Sequence, residues 1–139
     1  MRNSVLCLTT VIFALAGVLT PSTASRADDY DVAFGVETKL GQDFGLITCS
    51  FNEVCGARMD SLGLRVTILV FQNDPRRASV DLYGRDLSCC YFAGAADSIT
   101  VDLQKPLSRV PFFSGQPARG YLLPQNEYAG TLYLKFRAH

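Results

Sequence analysis

Apolar and polar residues alternate along much of this chain, and this alternation constrains the fold more than any other feature. The longest run covers residues 62–71, and shorter runs cover 32–36, 99–103 and 132–136. Side chains of a strand point to opposite faces in turn, so a period of two indicates strands with one buried face. Because residues 69–71 are apolar on both faces, we predict that 62–71 is a central strand.

Residues that favour turns separate these runs from further strand candidates. No long stretch shows helical periodicity. We interpret 72–77 as a hairpin loop and 26–31 as a mobile N-terminus. Closely spaced strands joined by turns predict an all-β fold: a single antiparallel β-sandwich, immunoglobulin-like or related, with about seven to nine strands. The further strand candidates are 44–51, 78–83 and 87–92, and the breaks lie at 56–61, 73–75, 84–86 and 94–97.

The segment from Glu127 to Phe136 (EYAGTLYLKF) is a strand signature near the end of the chain. It resembles the final strand of secreted immunoglobulin-like or pilin-like sandwiches. The resemblance covers these residues only; it agrees with a β-sandwich and implies no function.

The first 27 residues have the three-part pattern of a secretory signal peptide. A positive N-terminus precedes the nearly apolar stretch 5–18, and small residues follow Pro21. Cleavage after Ala24 or after Ala27 satisfies the pattern. The alternative is a membrane anchor, which needs about 20 apolar residues, more than this stretch supplies. We therefore expect an exported protein, secreted or periplasmic.

Removing residues 1–27 leaves 28–139, which is enough for one β-sandwich domain and too short for two. The formal charge of zero then falls to about −2, because Arg2 and Arg26 are removed. Arg76–Arg77 is the only adjacent basic pair. Nucleic acids and anionic membranes require clustered positive charge, so we expect neither as a partner and no stable membrane insertion of the mature chain.

Four cysteines follow residue 27 in two close pairs, Cys49 with Cys55 and Cys89 with Cys90. An even number in an exported chain predicts disulfides, and four cysteines allow three connectivities. Neighbours in a strand point apart, which disfavours a bond between Cys89 and Cys90. The other two connectivities join the early pair to the late pair, and each long loop closed is worth about 4 kcal/mol. One bond with two free thiols is a further alternative, whereas the spacing does not suit zinc.

The region 105–129 combines four of the six prolines with aromatic residues. Proline cannot donate to a central ladder, so we predict an edge strand at 107–113, then a loop, then a final strand from Thr131. Aromatic and arginine side chains often anchor protein interfaces, and aromatic rings also stack on sugars. The alternative is that they fill the core of a domain without tryptophan. The candidate contact residues within 107–128 are Arg109, Phe112, Phe113, Arg119, Tyr121 and Tyr128.

Catalytic and cofactor-binding constellations are missing from the sequence. The only histidine, His139, is the last residue, which argues against hydroxyl or thiol nucleophiles activated by histidine. Four aspartates near strand ends could supply a glycosidase-like pair, although turn acids commonly bind local backbone donors. We predict no metal, no cofactor and no enzymatic activity. The aspartates are Asp81, Asp86, Asp97 and Asp102.

Three functional hypotheses remain. The first is an exported binding module with a protein or carbohydrate partner, which contacts it through 107–128. The second is a structural subunit of an extracellular or periplasmic assembly that pairs through an edge strand. The third is a hydrolase that depends on carboxylates.

Overall fold

The structure is a computed structural model that describes residues 29–85, 89–116 and 125–138. These residues contain nine strands and one short 3-10 helix at Ala93–Ala95. The strands are β1 (Asp29–Thr38), β2 (Gly41–Ser50), β3 (Cys55–Met59), β4 (Leu64–Phe71), β5 (Asp74–Gly84), β6 (Cys89–Tyr91), β7 (Ser98–Asp102), β8 (Ser108–Gln116) and β9 (Gln125–Ala138).

The strands form two antiparallel sheets. A five-stranded sheet has the order β2-β1-β9-β8-β6 and curls into half a barrel. A four-stranded sheet has the order β3-β4-β5-β7. The prediction of an all-β antiparallel fold with disulfides is confirmed. The nine strands of the described ranges lie within the predicted number.

Both sheets contribute to one hydrophobic cluster. Val66 and Ile68 of β4 are almost fully buried, as are Leu132 and Leu134 of β9. The alternation explains this, because every second side chain points to the same face, and each fully buried aliphatic side chain contributes about 1.5–3 kcal/mol. β4 lies between β3 and β5, so the prediction of a central strand at 62–71 is confirmed.

Three local predictions are wrong. Residues 56–61 were expected to be a break but contain most of β3. Gly56 is needed there because β4 passes so close that a Cβ would collide with the Val66 carbonyl oxygen. The hairpin loop predicted at 72–77 is only a turn at 72–73, since β5 begins at Asp74. The last part of the N-terminus expected to be mobile, 29–31, begins β1.

The strand predicted at 107–113 exists as β8, and it is an edge strand only in part, because the short strand β6 covers its far end. β8 pairs with β9 along its length and with β6 only at Phe113 and Ser114. Pro111 therefore lies where one side of β8 has no partner among the described strands. A proline is tolerated in such a position because no ladder bond from its nitrogen is required on that side.

The two disulfides are Cys49–Cys55 and Cys89–Cys90. The expectation that the neighbouring cysteines would not bond is wrong; their Cα atoms are 3.0 Å apart across a cis peptide bond. The order of the strands keeps the Cys49 and Cys89 pairs apart. Cys49 lies on β2 and Cys89 on β6, at opposite edges of the five-stranded sheet, whereas disulfide Cα atoms lie within about 7 Å. The Cys49–Cys55 bond joins β2 to β3 and so connects the two sheets.

The predicted signal peptide lies outside the described residues and stays a prediction. The disulfides are consistent with an extracellular or otherwise oxidising compartment. Among the residues that the structure describes, no helix has the length and apolar character needed to cross a bilayer.

Candidate functional site

The face of the five-stranded sheet that points away from the core carries a row of residues that runs across four strands. Residues directly opposite each other in antiparallel strands share a face. Successive register partners therefore bring one cation and two aromatic rings onto this surface. The row consists of Arg109 (β8), Tyr133 (β9), Gly35 (β1) and Phe44 (β2).

Tyr133 is held from two sides. The guanidinium carbon of Arg109 lies 5.9 Å from the centre of the Tyr133 ring, within the range of a cation–π contact. The Tyr133 hydroxyl donates a hydrogen bond of 3.1 Å to Glu37 Oε2. This hydrogen bond is the main cause that raises the pKa of Tyr133, and desolvation adds to it. Both contacts orient the ring without any ligand.

A second aromatic pair lies farther along the same two strands. Phe113 and Tyr128 are register partners, and their rings meet edge to face with centres 6.3 Å apart. The Tyr128 hydroxyl lies 2.7 Å from the Thr131 hydroxyl, and half of the Tyr128 side chain is exposed. Of the predicted contact residues, the structure therefore brings Arg109, Phe113 and Tyr128 to one sheet face.

The remaining predicted contact residues are not part of this surface. Phe112 is 1% exposed and belongs to the core. Its ring fills the space beside Gly130, where a Cβ would lie 2.7 Å from Phe112 Cζ. The alternative of core packing therefore describes Phe112. Arg119 and Tyr121 lie outside the described residues.

Sequence reasoning missed two exposed residues of β2. Phe44 is 80% exposed and Leu46 is 67% exposed. The residue between them, Gly45, faces the core because the Phe34 ring occupies the space of its side chain; a Cβ on Gly45 would lie 2.6 Å from Phe34 Cζ. Phe44 and Leu46 consequently point outward. A glycine inside a strand marks a close approach, and that signal was available in the sequence.

Basic side chains border the aromatic residues. Arg109, Lys135 and Arg137 are exposed at outward positions of β8 and β9. Lys39 and Glu127 form an exposed ion pair of 2.8 Å, and their hydrogen bond raises the pKa of Lys39 and lowers that of Glu127. We call the following residues the aromatic face: Phe44, Leu46, Arg109, Phe113, Tyr128 and Tyr133.

Two of the aspartates considered as a catalytic pair, Asp81 and Asp102, do not converge in the structure. Asp102 is the register partner of Arg77, four residues from Asp81 along β5. Strand geometry separates the two Cα atoms by about 14 Å, beyond the roughly 5–9.5 Å between the carboxyl groups of glycosidases. Each carboxylate also accepts a local hydrogen bond, from the Thr67 hydroxyl and from the Gln104 backbone N–H respectively.

Neither a metal-binding cluster among the described residues nor a match to a known protein indicates a function. Within residues 29–85, 89–116 and 125–138, no group of three or more His, Cys, Asp or Glu side chains could hold a metal ion. Asp86 lies outside these ranges. Comparison with protein-family models, with curated proteins and with solved structures finds no match to this chain.

Proposed function

We propose that this protein is an exported binding module that contacts a protein partner through the aromatic face. The observation that carries the proposal is the exposure of Phe44 and Leu46 in line with Tyr133, whose ring Arg109 supports. Large apolar side chains that lie together on a surface mark interaction sites. Tyrosine and arginine are also the residue types most enriched at energetic hot spots.

A β-sandwich of the immunoglobulin-like or a related type is the scaffold that we propose for this module. Two antiparallel sheets around one hydrophobic cluster support it. A sheet presents contact residues on a rigid surface, so less conformational entropy is lost on binding than with a mobile loop. The two disulfides and the signal-like pattern of residues 1–27 support export.

The chemistry of the surface favours a partner that presents apolar and acidic side chains. Arg109 and Lys135 occupy outward positions of β8 and β9, where their register partners are the uncharged residues Tyr133 and Ala33. Carboxylates of a partner would meet these cations, while its apolar side chains would cover Phe44 and Leu46. Such charge complementarity fixes the orientation of the partner on the surface, and it raises the association rate more than it raises the affinity.

A photoreactive amino acid at position 44 tests the proposal, with position 71 as the matched control. Phe71 is likewise an exposed phenylalanine, with about half of its surface accessible, but it lies on the four-stranded sheet. We expect position 44 to cross-link a partner in the native extracellular fraction, and Arg109→Glu to reduce the yield strongly. Equal yields from both positions contradict the proposal. Binding to glycans alone identifies a carbohydrate partner instead.

A structural subunit is the second candidate, because one observation favours it. β2 has ten residues, forms an edge of its sheet and exposes Phe44 and Leu46. A long apolar edge strand is a template for pairing with another chain. Size-exclusion chromatography over a dilution series tests this. Assembly that Leu46→Lys abolishes supports the subunit, whereas a monomer at the highest concentration excludes it.

A further inference from the structure

The outward face of the four-stranded sheet has a different character from the aromatic face. Arg58 of β3, Arg65 of β4 and Tyr83 of β5 are successive register partners, and all three are exposed. Two guanidinium groups and one phenol ring therefore project side by side from this sheet. No other cross-strand pair among the described residues of the sheet places two basic residues opposite each other.

A third arginine completes a pocket at this end of the sheet. Arg85 follows the last residue of β5 and lies against the turn between β3 and β4. A Cβ on Gly63 of that turn would lie 3.3 Å from Arg85 Nε, and Gly63 has a φ of +65°, which suits glycine. The pocket has a volume of about 430 Å³. Its charged lining consists of Arg58, Arg65, Arg85 and Asp60.

Among the described residues that line it, the charges of this pocket are not balanced. Three guanidinium groups face one carboxylate, and within the described residues no ion pair joins any of the three arginines to an acid. Asp81, the nearest acid along β5, accepts a hydrogen bond from Thr67. Like charges directly opposite each other destabilise a sheet. The pairing of Arg58 with Arg65 therefore has an electrostatic cost.

Another arginine on the same sheet face has an acidic register partner. Arg77 lies on β5, six residues before Tyr83, and its register partner is Asp102. This pair sets opposite charges across two strands, which is the stabilising arrangement. The pairing of like charges across strands is thus confined to the end of the sheet where the pocket lies. Arg77 provides a matched control for the pocket arginines.

We propose that this pocket binds an oxyanion in the form of a phosphate or sulfate ester carried on a ring. Guanidinium groups bind such oxygens through parallel N–H donors, and a bound anion screens the repulsion between Arg58 and Arg65. Tyr83 is 52% exposed and offers a ring face beside the anion site. The pocket volume lies in the range of about 300–1,000 Å³ that small-ligand sites occupy.

Isothermal titration calorimetry of the oxidised protein with phenyl phosphate, phenyl sulfate and inorganic phosphate tests the proposal. We expect saturable binding of a phenyl ester and weaker binding of inorganic phosphate, which has no ring to contact Tyr83. The ester that binds more tightly identifies the source of the oxyanion. Arg65→Gln should weaken the binding by about tenfold or more, because a charge-assisted pair of hydrogen bonds is lost. Arg77→Gln should leave it unchanged.

Two results overturn the proposal. One is equal weakening by Arg65→Gln and Arg77→Gln, which indicates diffuse attraction to the sheet. The other is the absence of saturable binding of all three compounds at about 10 mM, well above the dissociation constant of a weak site. Phe44→Ser on the other sheet should not alter ester binding, so the result is independent of the proposed function of the aromatic face.

Discussion

The outward faces of the two sheets differ, although the same hydrophobic cluster lies behind both. The face of the five-stranded sheet exposes Phe44, Leu46 and Tyr128. The face of the four-stranded sheet exposes Arg58 and Arg65 around a concave pocket. Burial constrains only the inward half of each alternating run. The outward half is free to differ, and there one sheet acquires exposed aromatic and aliphatic side chains bordered by cations, whereas the other acquires a pocket lined by three arginines.

Phe112 and Phe113 of β8 provide the strongest test of which side chains face the core and which face the solvent. Phe112→Ala should lower the free energy of unfolding by about 3–5 kcal/mol, because a fully buried ring beside Gly130 leaves a cavity. Phe113→Ala should cost about 1 kcal/mol, chiefly from the edge-to-face contact with Tyr128. Urea denaturation of both variants measures the difference. Equal costs would show that Phe113 also belongs to the core and not to the aromatic face.

The disulfide between the sheets tests whether the two faces belong to one cooperative unit. Replacing both Cys49 and Cys55 by alanine should cost about 2 kcal/mol, the chain-entropy value for a loop as short as this one. Tyrosine fluorescence and far-ultraviolet circular dichroism should still report a single coincident unfolding transition. Two separate transitions would mean that the cross-link, and not the shared core, unites the sheets.

The inward half of the fold could be predicted from the sequence, but much of the outward half could not. Alternation predicts the strands β4 and β9, because burial of every second side chain is a local pattern. β3 was missed because Gly56 resembles a break, although the close approach of Val66 requires it. The disulfide pairing depends on which strands form the sheet edges, and local patterns do not contain that information.

The candidate site shows the same limit. Arg109, Phe113 and Tyr128 were predicted from residue type alone. Phe112 has the same residue type as Phe113 but faces the core, and only strand register separates the two. The exposure of Phe44 depends on a long-range contact between strands, namely the Phe34 ring above Gly45. The arginine pocket likewise needs three strands in register.

The arginine pair of the four-stranded sheet provides a smaller test. Arg58→Gln should raise the free energy of unfolding by up to about 1 kcal/mol without ligand, because it removes repulsion from Arg65. Arg77→Gln should lower it slightly, since it removes the attraction to Asp102. Thermal unfolding at low ionic strength measures both, and salt should reduce both effects. A loss of stability in Arg58→Gln would mean that this side chain has a structural role.

The smallest expected effect concerns the orientation of Tyr133 on the aromatic face. The hydrogen bond to Glu37 raises the pKa of Tyr133 above its value in the unfolded chain. The bond therefore stabilises the fold below the ordinary tyrosine pKa, and this contribution is lost as the pH rises through the raised value. Glu37→Ala should lower the pKa of Tyr133 in an NMR titration of its ring carbons. Glu127→Ala removes a carboxylate that binds Lys39 instead, so it should leave this pKa unchanged. An equal shift in both variants would mean that the general charge of the surface, and not the bond to Glu37, holds the Tyr133 proton.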